Sequence, residues 1–206
     1  MYKSITSTTE STYTIRGSRF LTYAYPVTSE TEINEALELC GQAWPDATHH
    51  CYAWRIHPEQ IREFTNDDGE PSGTAGLPIL NEIKSFELVN ILVIVIRYFG
   101  GTKLGKPGLI DAYRTSCRYC LKQAIIEEMY PVRRFSVTFP YSEQKVIDQL
   151  QYKYGLKKYH EDYQMEVTWK VSCSEEYSAN LISELDHLKH RGIVYEDEGN
   201  HFEPLS

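Results

Sequence analysis

The 206-residue sequence lacks a long apolar run: the longest, residues 91–96, has six members, far short of the roughly 20 that a bilayer-crossing helix needs. Residues 1–11 are mostly polar and hold no apolar core of a secretory signal. The five cysteines are an odd number, which fits a reducing compartment better than a disulfide framework. No internal repeat and no low-complexity tract stands out. Glycine turns are present, but none ends in Gly-Lys-Ser/Thr, so a Walker A loop is excluded. Cys117 and Cys120 form a Cys-x-x-Cys pair with no second ligand pair at zinc spacing, and they fall too far inside a helical pattern for a redox pair. They read as core cysteines. A net charge of −8 argues against indiscriminate coating of nucleic acid or anionic membrane. These absences describe a soluble, cytoplasmic protein with no cofactor, no metal and no membrane partner.

What is present is organised around residues 88–129. Ile91, Leu92, Val93, Ile94, Val95 and Ile96 form a block without a polar member, the pattern of a strand buried on both faces. Residues 100–108 then hold four glycines and a proline, where the backbone takes positive φ and approaches a ligand closely. A helical repeat follows: Leu109, Ile110, Tyr113, Cys117, Leu121, Ala124 and Ile125 recur at spacings of three and four, with Arg114, Arg118 and Lys122 on another face. Between residues 97 and 122 stand six basic residues against Asp111 alone, a window of +5 that leaves −13 elsewhere. This basic island is the seat expected for an anion.

Before this window, residues 12–27 read as a hairpin turning at Arg16-Gly17. Ser29 and Glu32 suggest a capping box for a helix with Ile33, Ala36, Leu37 and Cys40 inward, stopping at Gly41. Residues 49–56 and 61–64 read as strands, residues 65–76 as a loop dense in turn formers, and residues 77–86 as a short helix. Beyond Pro131, which reads as a break, strands over 133–141, 156–162, 165–172 and 192–196 alternate with helices over 146–155 and 174–190. That β-α-β-β-α-β order is ferredoxin-like. We therefore expect an α+β protein of two domains, residues 1–131 and 132–206.

Three segments carry a resemblance: Arg16-Gly17-Ser18-Arg19-Phe20; Ala47-Thr48-His49-His50-Cys51 with Asp67-Asp68-Gly69-Glu70-Pro71-Ser72-Gly73-Thr74-Ala75-Gly76; and Arg97-Tyr98-Phe99-Gly100-Gly101 through Leu104-Gly105. Together they resemble the IMPACT family in its bacterial form. The resemblance implies an N-terminal two-layer α/β sandwich like domain 2 of ribosomal protein S5, followed by a ferredoxin-like βαββαβ domain. It also implies association with RNA or the ribosome and a part in translational control. Eukaryotic relatives carry a further N-terminal domain that contacts a kinase-activating partner; the sequence shows none, so that role is not carried over. Lys106-Pro107-Gly108 and Asp111 depart from the bacterial pattern and remove one positive charge.

Two sets of residues are candidates for chemistry. In the first, backbone N–H groups of Gly100, Gly101 and Gly105, the following helix start, and Arg97, Lys103 and Lys106 hold phosphate, with Arg114 and Arg118 extending the track. Tyr98 and Phe99 either stack on bases or pack in the core, and packing is the better fit. In the second, Asp67, Asp68 and Glu70 crowd beside Ser72 and Thr74. They cap loop N–H groups or, less simply, bind a divalent ion; His49 is a hydrogen-bonded structural histidine or, less simply, pairs with Asp68 as acid and base. His49 and His50 project to opposite faces of one strand, so a single one joins any site. No nucleophile–base pair is evident. The expected function is a non-catalytic binder of RNA or ribosome, with a protein partner on the acidic C-terminal domain. The alternative is an enzyme acting on a small phosphate-bearing ligand, metal-dependent through Asp67 and Asp68.

Overall fold

A computed structural model of the chain describes residues 1–204. The elements run β1 (Tyr2–Ile5), β2 (Thr9–Ile15), β3 (Ser18–Pro26), α1 (Glu30–Ala43), β4 (His49–Ile56), β5 (Arg62–Asn66), α2 (Gly76–Ser85), β6 (Ile91–Tyr98), α3 (Gly105–Leu121), β7 (Ile126–Phe139), α4 (Gln144–Tyr154), β8 (Lys157–Tyr163), β9 (Val167–Ser174), α5 (Glu175–Leu188) and β10 (Val194–Pro204). They form a mixed α and β protein that divides into two compact units, Met1–Glu128 and Met129–Ser206.

In the first unit the strands order as β2-β3-β6-β4-β5, each neighbouring pair antiparallel. The apolar block explains why β6 is central. Its alternate side chains face opposite ways, so Ile91, Val93 and Val95 pack with Ile79 and Ile83 of α2 and Leu109 and Tyr113 of α3. Leu92, Ile94 and Ile96 pack with Ile33, Ala36 and Cys40 of α1. Helices thus cover both faces of the sheet. The unit has three layers where the family resemblance implies two, because a strand with no polar side needs cover on each side.

Local signals set several boundaries. The N-cap Ser29 Oγ accepts the Glu32 N–H at 3.3 Å, and Glu32 returns a bond to the Thr28 N–H at 2.6 Å, a capping box offset by one residue. Helix α3 begins at Gly105, four residues before the apolar repeat, so the turn after β6 is shorter than the glycine pattern suggests. Pro107 falls in the first helical turn, where its missing N–H breaks no intrahelical bond. The helix ends at Leu121, leaving Ala124 and Ile125 outside it. The segment of β1 is too polar for the sequence pattern to mark it as a strand. It is held by Val89 N–H donating to Lys3 O at 2.9 Å, and the residue after it, Thr6, donates its N–H to Ile125 O at 3.2 Å, with Ile5 buried.

In the second unit the strand order is β10-β7-β9-β8, all antiparallel, with the β-α-β-β-α-β succession read from the pattern. Phe135, Val137, Phe139, Trp169 and Val171 meet Ile147 and Leu150 of α4 and Leu181 and Leu185 of α5 in one core. Pro131 does not break the chain; it lies inside β7. The β9 ladder starts only at Val132, so the proline sits beyond its end, where a missing N–H costs no bond to β9. Among the described residues no helix is long and apolar enough to cross a membrane.

Candidate functional site

Three loop segments meet at one end of the first sheet, and backbone contact brings them together. A Cβ on Gly100 would lie 1.9 Å from the carbonyl carbon of Gly17 and 2.1 Å from its oxygen, so only glycine permits this approach. Ser18 Oγ accepts the Gly100 N–H at 3.2 Å and Arg97 Nη2–H at 3.4 Å. Thr48 Oγ1 accepts the Phe99 N–H at 3.2 Å. The β2–β3 turn, the start of β4 and the end of β6 are thereby tied to one another.

The acidic loop is organised by Asp67. Its Oδ2 accepts the Gly73 N–H at 2.8 Å, and its Oδ1 accepts the Ala75 and Gly76 N–H groups at 3.0 and 2.9 Å. Both oxygens therefore serve the backbone, in place of a side-chain cap that Ala75 cannot supply at the start of α2. Asp68 Oδ2 accepts the His50 N–H at 2.6 Å. Thr74 Oγ1 donates to Pro71 O at 2.6 Å, while Ser72 remains exposed. Of the two readings of this cluster, the geometry is that of capping. Among the described residues no three His, Cys, Asp or Glu side chains converge on a metal position.

Glu70 is turned inward instead. Its side chain is 4% exposed and its Oε1 accepts Arg97 Nη1–H at 2.5 Å and the Tyr113 hydroxyl at 2.9 Å. His49 Nε2 stands 3.8 Å from the same oxygen, and its Nδ1 lies 2.6 Å from the Asp68 carbonyl. A carbonyl only accepts, so Nδ1 carries the proton. His50 faces the other way, with Nε2 3.1 Å from Trp44 O. Burial pushes the Tyr113 hydroxyl far above the usual phenol range, reinforced by Cys51 and Glu70 beside it. Burial likewise raises the Cys51 thiol, which sits 3.3 Å from the Tyr113 oxygen. Both stay protonated. The result is a buried, fixed network joining β3, β4, α3 and the acidic loop.

The basic island is not one surface. Arg97 is 5% exposed and matched by Glu70. Arg118 makes two bonds of 2.9 Å to the carboxylate of buried Glu82 on α2, and Arg114 Nε lies 3.8 Å from it, so two guanidiniums share one carboxylate. Lys103 and Lys106 remain exposed. With Glu70, Pro71, Arg97, Phe99, Leu104, Gly105 and Leu109 they line a cleft of about 370 Å³. No side chain caps the start of α3 there. Tyr98 is half-buried beneath Arg19, whose guanidinium carbon is 4.7 Å from its ring centre. Phe99, just past the end of β6, is 47% exposed with Arg97 5.5 Å from its ring centre; packing in the core is not its role. Gly101 is exposed on the same turn.

Sequence reasoning missed Tyr113, Ser18 and Glu82. Tyr113 looked like one member of an apolar stripe, and only its hydroxyl hinted at a polar partner. The nearest clue to Glu82 was a lone acid on the short helix. Cys117 and Cys120 are buried in the core, with burial raising both thiols, Cys120 to about 11.

Comparison with known proteins connects this architecture to others. An IMPACT family member of Haemophilus influenzae is 31% identical over 175 residues, covering 83% of this chain and 84% of that protein. The IMPACT family member YigZ of Escherichia coli is 31% identical over 173 residues, covering 81% and 85%. A crystal structure of a hypothetical protein superposes with a TM-score of 0.68 at 26% identity, covering 94% of this chain and 95% of that one. Residues 16–121, which hold all three loop segments and the network they enclose, match the Impact N-terminal domain. The chain belongs to the IMPACT family.

Proposed function

We propose that the protein acts in the regulation of translation as a non-catalytic, cytoplasmic factor that binds RNA, on or off the ribosome, through the cleft at the start of α3. In this reading the first unit is a domain like domain 2 of ribosomal protein S5 and the second is ferredoxin-like. The observation that carries it is the cleft itself: two lysines without an ion pair among the described residues, a helix start with no side-chain cap among them and a half-exposed phenylalanine gather where the three loop segments meet. Lysines and first-turn N–H groups suit phosphate; an exposed ring suits a base. Exposed Tyr152 and Met165, 93% and 95% accessible, offer the second unit's surface to a protein partner.

The cleft volume also suits a small phosphate-bearing ligand, which keeps an enzyme of that substrate class as the second reading. Metal dependence through Asp67 is disfavoured, since both its oxygens already accept N–H groups. The test is co-sedimentation with ribosomes and binding of single-stranded RNA across a salt series. Reversing Lys103 and Lys106 to Glu should weaken binding and flatten the dependence of log affinity on log salt by about 1.4, two phosphates at the single-strand increment. Arg114→Glu should change it less. Binding unaltered by the lysine reversals would refute the proposal; a thermal shift with nucleotides but not RNA would favour the second reading.

A further inference from the structure

The cleft has a floor as well as a rim, and the floor carries a group that phosphate binding does not use. Glu70 lines it with a side chain 4% exposed. Its Oε1 takes the Arg97 and Tyr113 bonds. Among the described residues nothing donates to Oε2, and that atom is not one of the fully enclosed unpartnered ones. An ionised carboxylate has about four acceptor positions, and Oε2, on a nearly buried residue that lines the cleft, has no donor among the described residues. An acceptor in that position gains most from a ligand N–H, since leaving it bare forfeits its solvation.

The other lining groups say what else such a ligand carries. Phe99 presents a half-exposed ring steadied by Arg97, a platform for a flat heterocycle. Lys103, Lys106 and the first turn of α3 stand beside it for an oxyanion. A nucleotide combines all three features. Base edges differ in what they offer a carboxylate: cytosine, adenine and guanine project an amino group, and a carboxylate accepts from cytosine N4 in known recognition. Uracil offers a single N–H flanked by two carbonyls, whose oxygens would face Oε2 repulsively.

Resting on the RNA-binding reading above, we propose that Glu70 makes the cleft base-selective: it receives a nucleotide of single-stranded RNA whose base bears an exocyclic amino group, with the amino N–H donated to Glu70 Oε2, the base on Phe99 and the phosphate at Lys103 and Lys106. Glu70 is then a specificity-determining residue and the lysines are affinity residues.

The test is fluorescence anisotropy of the full chain with labelled oligocytidylate, oligouridylate and oligo-N4,N4-dimethylcytidylate of equal length, so that phosphate number is constant. Oligocytidylate should bind about tenfold more tightly than oligouridylate, within the range one good edge contact confers. Dimethylation should bring cytidylate down to the uridylate level with no change in the protein. Glu70→Gln, where its melting curve shows it folded, should narrow the preference; where it does not fold, the dimethylated ligand carries the test. Equal affinity for all three oligomers, still salt-sensitive and still weakened by the lysine reversals, would overturn this inference and leave RNA binding standing. Binding of none would overturn both.

Discussion

The two units place their charges differently. In the second unit every described ion pair has a member whose side chain is at least 33% exposed. In the first, Glu70 and Arg97 pair at 4% and 6% exposure, whereas the two arginines on buried Glu82 are themselves 45% and 48% exposed. Exposed pairs contribute little to stability, whereas buried ones carry a desolvation cost that only good geometry offsets. At Glu70 and Arg97 the first unit thus retains a buried pair where apolar groups would serve stability at least as well, and both residues line the cleft. The difference teaches that its buried charges hold a shape, while those of the second unit keep a surface wet.

The sharpest way to break this contrast is to remove one partner from each kind of pair. Arg97→Met leaves a buried carboxylate uncompensated and should cost about 3–5 kcal/mol, read as a fall in the urea midpoint. Arg133→Ala removes a two-bond pair with Asp197 in the second unit and should cost less than about 1 kcal/mol. Thiol labelling locates the damage. Cys40, Cys51, Cys117 and Cys120 lie in the first unit and Cys173 in the second, all buried; in Arg97→Met at moderate urea the first four should react before Cys173. Equal costs for the two substitutions would end the distinction.

Backbone crowding sharpens it further. Gly100→Ala must push the Gly17 carbonyl aside, so a loss of about 1–3 kcal/mol or more is expected, with the cleft opened. Gly199, in the β10 irregularity of the second unit, has nothing within 4 Å of an added Cβ but a φ of +87°. Its alanine variant should suffer only the backbone strain, about 1 kcal/mol. Paired denaturation curves check this. A smaller loss at Gly100 than at Gly199 would show that the loop contact is loose.

Much of the scaffold behind these contrasts is readable from local pattern. The six apolar residues of β6, the Ser29 and Glu32 cap, and the Gly155 stop at the end of α4, in left-handed conformation at φ 59°, are all signals within one element. What pattern does not show is pairing across distance. Glu70 and Arg97 are 27 positions apart, and nothing in either segment says that one neutralises the other; the basic island looked open because its matching acids lie in another loop and another helix. Element limits are also set at a distance. Pro131 reads as a break until the β9 ladder is seen to end beside it, and β1 becomes a strand only through partners far along the chain. The candidate residues can be named from the sequence, but which of them face outward and which face each other is a tertiary fact.

The smallest expected effect concerns acid. In the second unit Asp197 is held below the usual carboxylate range chiefly by the hydrogen bond from Arg133, Glu198 by that from Tyr159 and then Lys170, and Glu184 by that from Lys153. A carboxyl held low when folded binds fewer protons than it does unfolded, so its stabilisation is complete above the ordinary carboxylate pKa. The stabilisation fades as pH falls from there through the lowered value, and it is gone below both. Because these groups face solvent, each should contribute less than about 1 kcal/mol, and the decline should be shallow. Trp169 is the second unit's reporter once Trp44 and Trp54 are replaced by Phe; its urea midpoint should drift down between neutral and acid pH, and Arg133→Ala should flatten part of that drift. A midpoint that rose on acidification would mean that these surface pairs oppose folding, and the reading of the second unit's charges as weakly stabilising would have the wrong sign.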